Sequence, residues 1–190
     1  MTTRRAVILV GCGLFVAIML SLHLLRQDLS PLTRGMSRYA GAGTLGLATI
    51  GFLALTAAVI ALATLLRHPR PAAVRGLVTA ACGLLAVVVT PIGNPNTPVP
   101  VTTLHTIGGI AFYLGMVWAM RSSASEQRDR QFGRATTTAL ALFVLGAVGL
   151  PGFQQIVGLL QRLVFALVVG WVIQAALRCR ADTSQPHLSL

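Results

Sequence analysis

The chain has 190 residues, 55% of them hydrophobic and only 10% charged, with a net charge of +11. A soluble domain carries about 25% charged residues, so this chain has too few to cover a water-exposed fold. All fifteen basic residues are Arg, and most flank apolar runs instead of forming a basic patch with aromatic or polar contacts, which argues against a nucleic-acid partner.

Six apolar runs follow in chain order, at 6–25, 45–66, 74–89, 101–120, 135–150 and 156–177. At 1.5 Å per residue the first spans about 30 Å, the thickness of a bilayer's hydrocarbon core. Two processing signals compete with it. Leu9-Val10-Gly11-Cys12 has the form of a lipobox, and Arg4-Arg5 that of a twin-arginine start. A lipoprotein signal needs its apolar region before the cysteine, yet here the run continues to Leu25, and no small-x-small cleavage site follows it. An uncleaved first helix is expected. The fifth run ends at Pro151-Gly152, a helix stop. Short loops leave helices as the only way to satisfy backbone groups in lipid. The expectation is an all-α, polytopic bundle of six transmembrane helices, one domain over 1–180, with a polar tail at 181–190. No internal repeat supports an inverted-repeat transporter.

Eleven arginines fall in four stretches: Arg4 and Arg5; Arg67, Arg70 and Arg75; Arg121, Arg128, Arg130 and Arg134; Arg178 and Arg180. Cytoplasmic loops carry such an excess, which predicts a bacterial inner-membrane protein with both termini in the cytoplasm. Cys12, Cys82 and Cys179 are too few and too scattered for a disulfide framework or a zinc site, and are expected to be small apolar fillers. No metal or cofactor is expected.

On this orientation the segments 26–43, 90–100 and 151–155 face outward. His23, Ser37, Arg38, Tyr39, His105, Gln155, Gln161 and Arg162 then fall toward the outer surface. His105 lies about 6 Å into the fourth run and Arg162 about 9 Å into the sixth. An Arg at a helix centre costs about 2.5–3.5 kcal/mol. Arg162 must therefore snorkel, bind backbone carbonyls, or face a wet pocket. The acids are Asp28, Glu126, Asp129 and Asp182, all read as lying outside the helices. His105, Gly108, Phe112 and Gly115 form one helical stripe; Gln155, Gly158, Arg162 and Phe165 form another. Glycines on a stripe permit close helix approach. Both stripes are expected to point into the bundle, where they could face each other around a polar pocket. The structural alternative is a buried His105 bonded to a neighbouring helix.

Three patches together resemble a prokaryotic six-helix membrane family known as domain of unknown function 998. They are Leu29-Ser30-Pro31 through Ser37-Arg38-Tyr39-Ala40; Thr90-Pro91 through Leu104-His105 with Gly108-Gly109-Ile110-Ala111-Phe112; and Gly158-Leu159-Leu160-Gln161-Arg162 with Trp171. The resemblance implies six helices and a cluster of Ser37, Tyr39, His105, Gln161 and Arg162, and no established activity. Similar sequences tend to carry an acid just after the Pro that ends the third helix. Here the stretch is Pro91-Ile92-Gly93-Asn94, so an acid–base or metal role through that carboxylate is not expected.

The favoured reading is a non-enzymatic pocket of Ser37, Arg38, Tyr39, His105, Gln161 and Arg162 that binds an anionic lipid headgroup or a small anion. Proton-coupled transport would call for an intramembrane carboxylate. One alternative is a membrane enzyme with His105 as general base and Arg162 stabilising a phosphate or oxyanion. No Ser/His/Asp set or carboxylate pair supports it. Another is a haem-binding electron carrier with His23 and His105 as axial ligands. Oligomeric state is not legible.

Overall fold

A computed structural model describes residues 3–179 except 42, 93, 95 and 124–126. The predicted tail, together with Glu126 and Asp182, lies outside the described residues. Within them are six helices, α1 (Thr3–Leu25), α2 (Leu45–Leu65), α3 (Pro71–Val89), α4 (Val99–Ser122), α5 (Gln127–Ala147) and α6 (Val157–Arg178), and no strand. Short 3-10 turns at Met36–Tyr39 and Gln154–Ile156 precede α2 and α6.

The boundaries follow local chemistry. Pro71 opens α3, where its missing N–H would have had no partner within the helix. The turn after α5 holds Gly149 at φ +90° and Gly152 at φ +85°, a backbone region that suits glycine and strains other residues. Five helices are long and apolar enough to cross a membrane: α1, α2, α3, α4 and the one formed by α6 with its leading turn. The fifth apolar run begins at Ala135, but α5 itself begins eight residues earlier, at Gln127. Its first five residues, Gln127-Arg128-Asp129-Arg130-Gln131, are polar, and they lower its overall hydropathy. Asp129 is therefore helical, contrary to the expectation that every acid lies in a loop.

The helices pack in chain order, each on the next, and α6 returns to α1 to close a ring; α2 also reaches across to α6. The most extensive seam joins α3 to α4, and glycine makes it possible. A Cβ on Gly83 would stand 2.5 Å from the Gly108 carbonyl oxygen and 2.5 Å from the Phe112 nitrogen. Two turns away, a Cβ on Gly76 would stand 2.5 Å from the Gly115 oxygen. On α1, Gly11 meets the Ala54 carbonyl of α2 in the same way, at 2.6 Å. Leu55, Leu62, Leu77, Leu84, Met116, Val168 and Trp171 fill the interior, while Val10, Leu24, Val89, Val99 and Leu114 lie exposed on the outside. A ring apolar on both surfaces suits a lipid surround. Cys12 is buried as a filler would be, but Cys82 is exposed on α3.

Candidate functional site

The residues between α1 and α2 fold over one end of the ring and are pinned there by the start of α6. The first turn of any helix has N–H groups without intrahelical partners. In α6 the Gly158 and Leu159 N–H groups both donate to the Leu32 carbonyl, at 2.7 and 3.1 Å. This approach needs glycine, because a Cβ at 158 would lie 2.5 Å from the Arg34 oxygen and 2.7 Å from the Pro31 oxygen. One turn on, Arg162 Nη1 donates to the carbonyls of Pro31 (2.7 Å), Arg34 (2.9 Å) and Gly158 (2.8 Å). Its Nη2 donates to the Tyr39 hydroxyl at 2.7 Å. The guanidinium also lies 5.6 Å from the centre of the Tyr39 ring. Arg162 thus meets the cost of its depth by binding backbone carbonyls, one of the escapes open to a buried cation.

The Tyr39 hydroxyl stands 2.5 Å from His23 Nδ1. It accepts from Arg162 and has one proton of its own to give. The arrangement that uses every donor has Tyr39 donating to Nδ1, with the His23 proton on Nε2. Gln161, next to Arg162, turns the other way. Its Oε1 accepts from the Met36 N–H at 2.7 Å, and its Nε2 donates to the Tyr113 hydroxyl of α4 at 3.1 Å. Gln161 thereby ties the 3-10 turn to α4. Arg26 completes the clasp. It forms a two-point pair with Asp28 at 2.8 and 2.7 Å and donates to the Gly41 carbonyl at 2.8 Å. The hydrogen bond from Arg26, then its charge, holds the Asp28 carboxyl below the usual carboxylate range.

His105 is buried on α4, and its Nδ1 lies 2.7 Å from the Thr90 carbonyl just past the end of α3. A carbonyl only accepts, so Nδ1 carries the proton. This is the buried-histidine alternative, and it supplies a donor to a helix C-terminus that needs one. Arg38 is exposed and reaches the Ile92 carbonyl at 3.3 Å.

The six expected residues do not share one pocket. Ser37, His105 and Gln161 line a cavity of about 530 Å³ among α3, α4, α5 and α6, with Phe112, Tyr113, Phe143 and Phe165 among its walls. Tyr39 and Arg162 line a second cavity of about 480 Å³ between α1 and α6, together with His23 and the same Phe165. Arg38 lines neither. The two glycine stripes could have faced each other; Gly108 and Gly115 pack on α3, and Gly158 packs on loop carbonyls. His105 and Arg162 therefore cannot act together as general base and oxyanion donor in one cavity. His23 and His105 lie in different cavities too, which removes the axial-ligand pairing. Among the described residues no three of His, Cys, Asp or Glu converge.

Two participants were missed in the sequence. Tyr113 is buried with its hydroxyl on Gln161; a tyrosine inside an apolar run was a signal, since a buried phenol usually finds a partner. Asp129 lies at the opposite end of the ring, 1% exposed. It accepts from Arg70 (3.2 Å), Arg178 (3.1 Å) and the Trp171 indole N–H (3.2 Å). That knot joins the α2–α3 connection, α5 and the end of α6.

Residues 9–178 match the family described as "Protein of unknown function (DUF998)", and the chain belongs to that family. No curated protein and no solved structure matches it.

Proposed function

We propose that this protein spans a membrane and holds an amphiphilic lipid in the cavity among α3, α4, α5 and α6. The carrying observation is the shape and chemistry of that cavity. Its volume, about 530 Å³, is in the range of small-molecule sites, about 300–1,000 Å³. Its wall is mostly aliphatic and aromatic, and its polar groups, Ser37, His105, Thr106 and Gln161, come from the clasp side. From His105 to Leu114 the cavity follows α4 for about 14 Å at 1.5 Å per residue. An apolar chain fits the deep part, and a hydroxyl, amide or ester fits the polar end.

This reading narrows the expected anion pocket. Arg162 lies on the other side of Phe165 with its Nη1 on carbonyls, so recognition here rests on hydrogen bonding and not on a full positive charge. The role is binding, not catalysis. The arginine excess at the Asp129 end supports an orientation with both termini in the cytoplasm of a bacterial inner membrane and the clasp facing out.

The test is lipid retention. Protein purified in mild detergent is expected to keep a bound lipid through size-exclusion chromatography, read by native mass spectrometry. Gly109 lines the cavity, and nothing lies within 4 Å of where its Cβ would be. Gly109→Leu and Ala147→Phe should fill the space and expel the lipid without unfolding the protein. Unchanged occupancy in both variants would refute the proposal.

A further inference from the structure

The opposite end of the ring carries a different site. A groove of about 380 Å³ between the end of α4 and the start of α5 is lined by Arg121, Arg130, Arg134, Thr137 and Thr138, with Gly133 at its floor. Positions 130, 134, 137 and 138 follow i, i+4, i+7 and i+8, so they share one face of α5. Arg121, in the last turn of α4, forms the facing wall. Gly133 marks the close approach, since a Cβ there would meet Arg121 Cγ at 3.4 Å and Met120 Cβ at 3.7 Å.

The charge on α5 is sorted by face. Asp129 points inward and is taken up by Arg70, Arg178 and Trp171. The groove presents the guanidinium groups of Arg121 and Arg134 and the hydroxyls of Thr137 and Thr138, with Arg130 at its edge. Its depth is marked independently. Leu114, Trp118 and Arg121 follow i, i+4 and i+7 on α4, and Leu114 and Trp118 are 58% and 51% exposed. An exposed Trp one turn from an Arg is the signature of the headgroup level. Beyond Thr138, α5 turns apolar, as Ala139-Leu140-Ala141-Leu142-Phe143. The groove thus sits where arginine gives way to hydrocarbon.

We propose that this groove binds the phosphate of an anionic membrane lipid, with Arg121 and Arg134 around the headgroup and the acyl chains running along the Leu114–Trp118 face. Basic pockets between membrane helices suit such headgroups. Free phosphate shares the chemistry but makes no use of the apolar face.

Protein in neutral detergent is titrated with phosphatidylglycerol, phosphatidylcholine or inorganic phosphate, and binding is read by thermal shift and native mass spectrometry. Phosphatidylglycerol is expected to bind in preference to phosphatidylcholine. The double variant Arg121→Gln/Arg134→Gln should weaken that binding roughly thirtyfold, at about fivefold per arginine near the headgroups. Arg75→Gln/Arg128→Gln makes the same charge change on exposed residues outside the groove and should shift binding less than twofold. Both double variants should melt near the parent without lipid, because all four residues are exposed. Equal binding of the two lipids, or equal loss in both double variants, would overturn the proposal. Stabilisation by inorganic phosphate as large as by phosphatidylglycerol would overturn the lipid assignment.

Discussion

Gly83, packed against the α4 backbone, and Gly109, on α4 facing the cavity, carry opposite predictions. In Gly83→Ala the added methyl meets the Gly108 oxygen at 2.5 Å, the Phe112 nitrogen at 2.5 Å and the Phe112 Cα at 3.0 Å, all backbone. Ordinary carbon contacts lie near 3.5–4.0 Å, so the helices must separate by about 1 Å. No side chain can rotate out of the way. Overpacking costs about 1–3 kcal/mol, and a backbone clash belongs at the top of that range. Alanine returns about 1 kcal/mol of helix propensity, leaving a net loss of about 2 kcal/mol. At about 2–4 °C per kcal/mol for a chain of this size, the melting temperature should fall by about 4–8 °C. In Gly109→Ala the methyl meets nothing within 4 Å. The propensity gain then stands alone, and the melting temperature should hold or rise by about 2–4 °C. The assay is thermal unfolding in mild detergent, followed by intrinsic fluorescence and by the monodisperse fraction. Separation of α3 from α4 should also loosen the His105–Thr90 contact, visible as faster hydrogen exchange around Thr90. A Gly83→Ala protein as stable as the parent, or a Gly109→Ala protein that falls as far, would refute the reasoning.

The remaining predictions concern the two ends of the ring. Asp129→Asn leaves two partly buried guanidinium groups without their carboxylate and should destabilise by about 3 kcal/mol, measured by denaturant titration with Trp171 fluorescence as the local probe. Arg162→Met removes the donor to three carbonyls and the Tyr39 hydroxyl, and charge-assisted bonds of this kind contribute about 1.5–3 kcal/mol each before sharing. The expected result is rapid hydrogen exchange across residues 31–40 with the six helices still protected; helices that open equally would show that Arg162 holds more than the loop. The Arg26–Asp28 pair predicts a pH response of defined sign. Its carboxyl is depressed in the folded state, so its contribution is complete above the ordinary value of 3.8 and fades as pH falls through the lower folded value. Protection at the Thr44 amide, which bonds the Gly41 carbonyl, taken relative to its intrinsic exchange rate, should be flat from neutral pH to about 5 and fall only in stronger acid, and Asp28→Asn should remove that dependence.

Much of the architecture was legible in the chain because bilayer physics constrains it severely. Apolar runs of membrane length must be helical, and short loops between them force neighbours in sequence to be neighbours in space. The stripes of Gly108 and Gly115 and of Gly158 correctly signalled close approach. They could not name the partner, since a missing side chain fits an adjacent helix or a loop carbonyl equally well. The start of α5 was hidden for a related reason. A helix continues past the hydrocarbon into charged turns, so hydropathy alone places its boundary too late and leaves Asp129 outside.

The sequence by itself determined the all-helical class and the six helices, and from it Tyr39, His105, Gln161 and Arg162 were expected in one pocket. Only the tertiary structure decided how those residues divide. Successive residues on a helix point about 100° apart, so Gln161 and Arg162, adjacent in the chain, diverge to opposite sides of Phe165 and enter different cavities. Depth along a helix can be counted from the sequence. Direction around it is set by what packs there, and here that was a loop held over the helix ends by its own carbonyl groups.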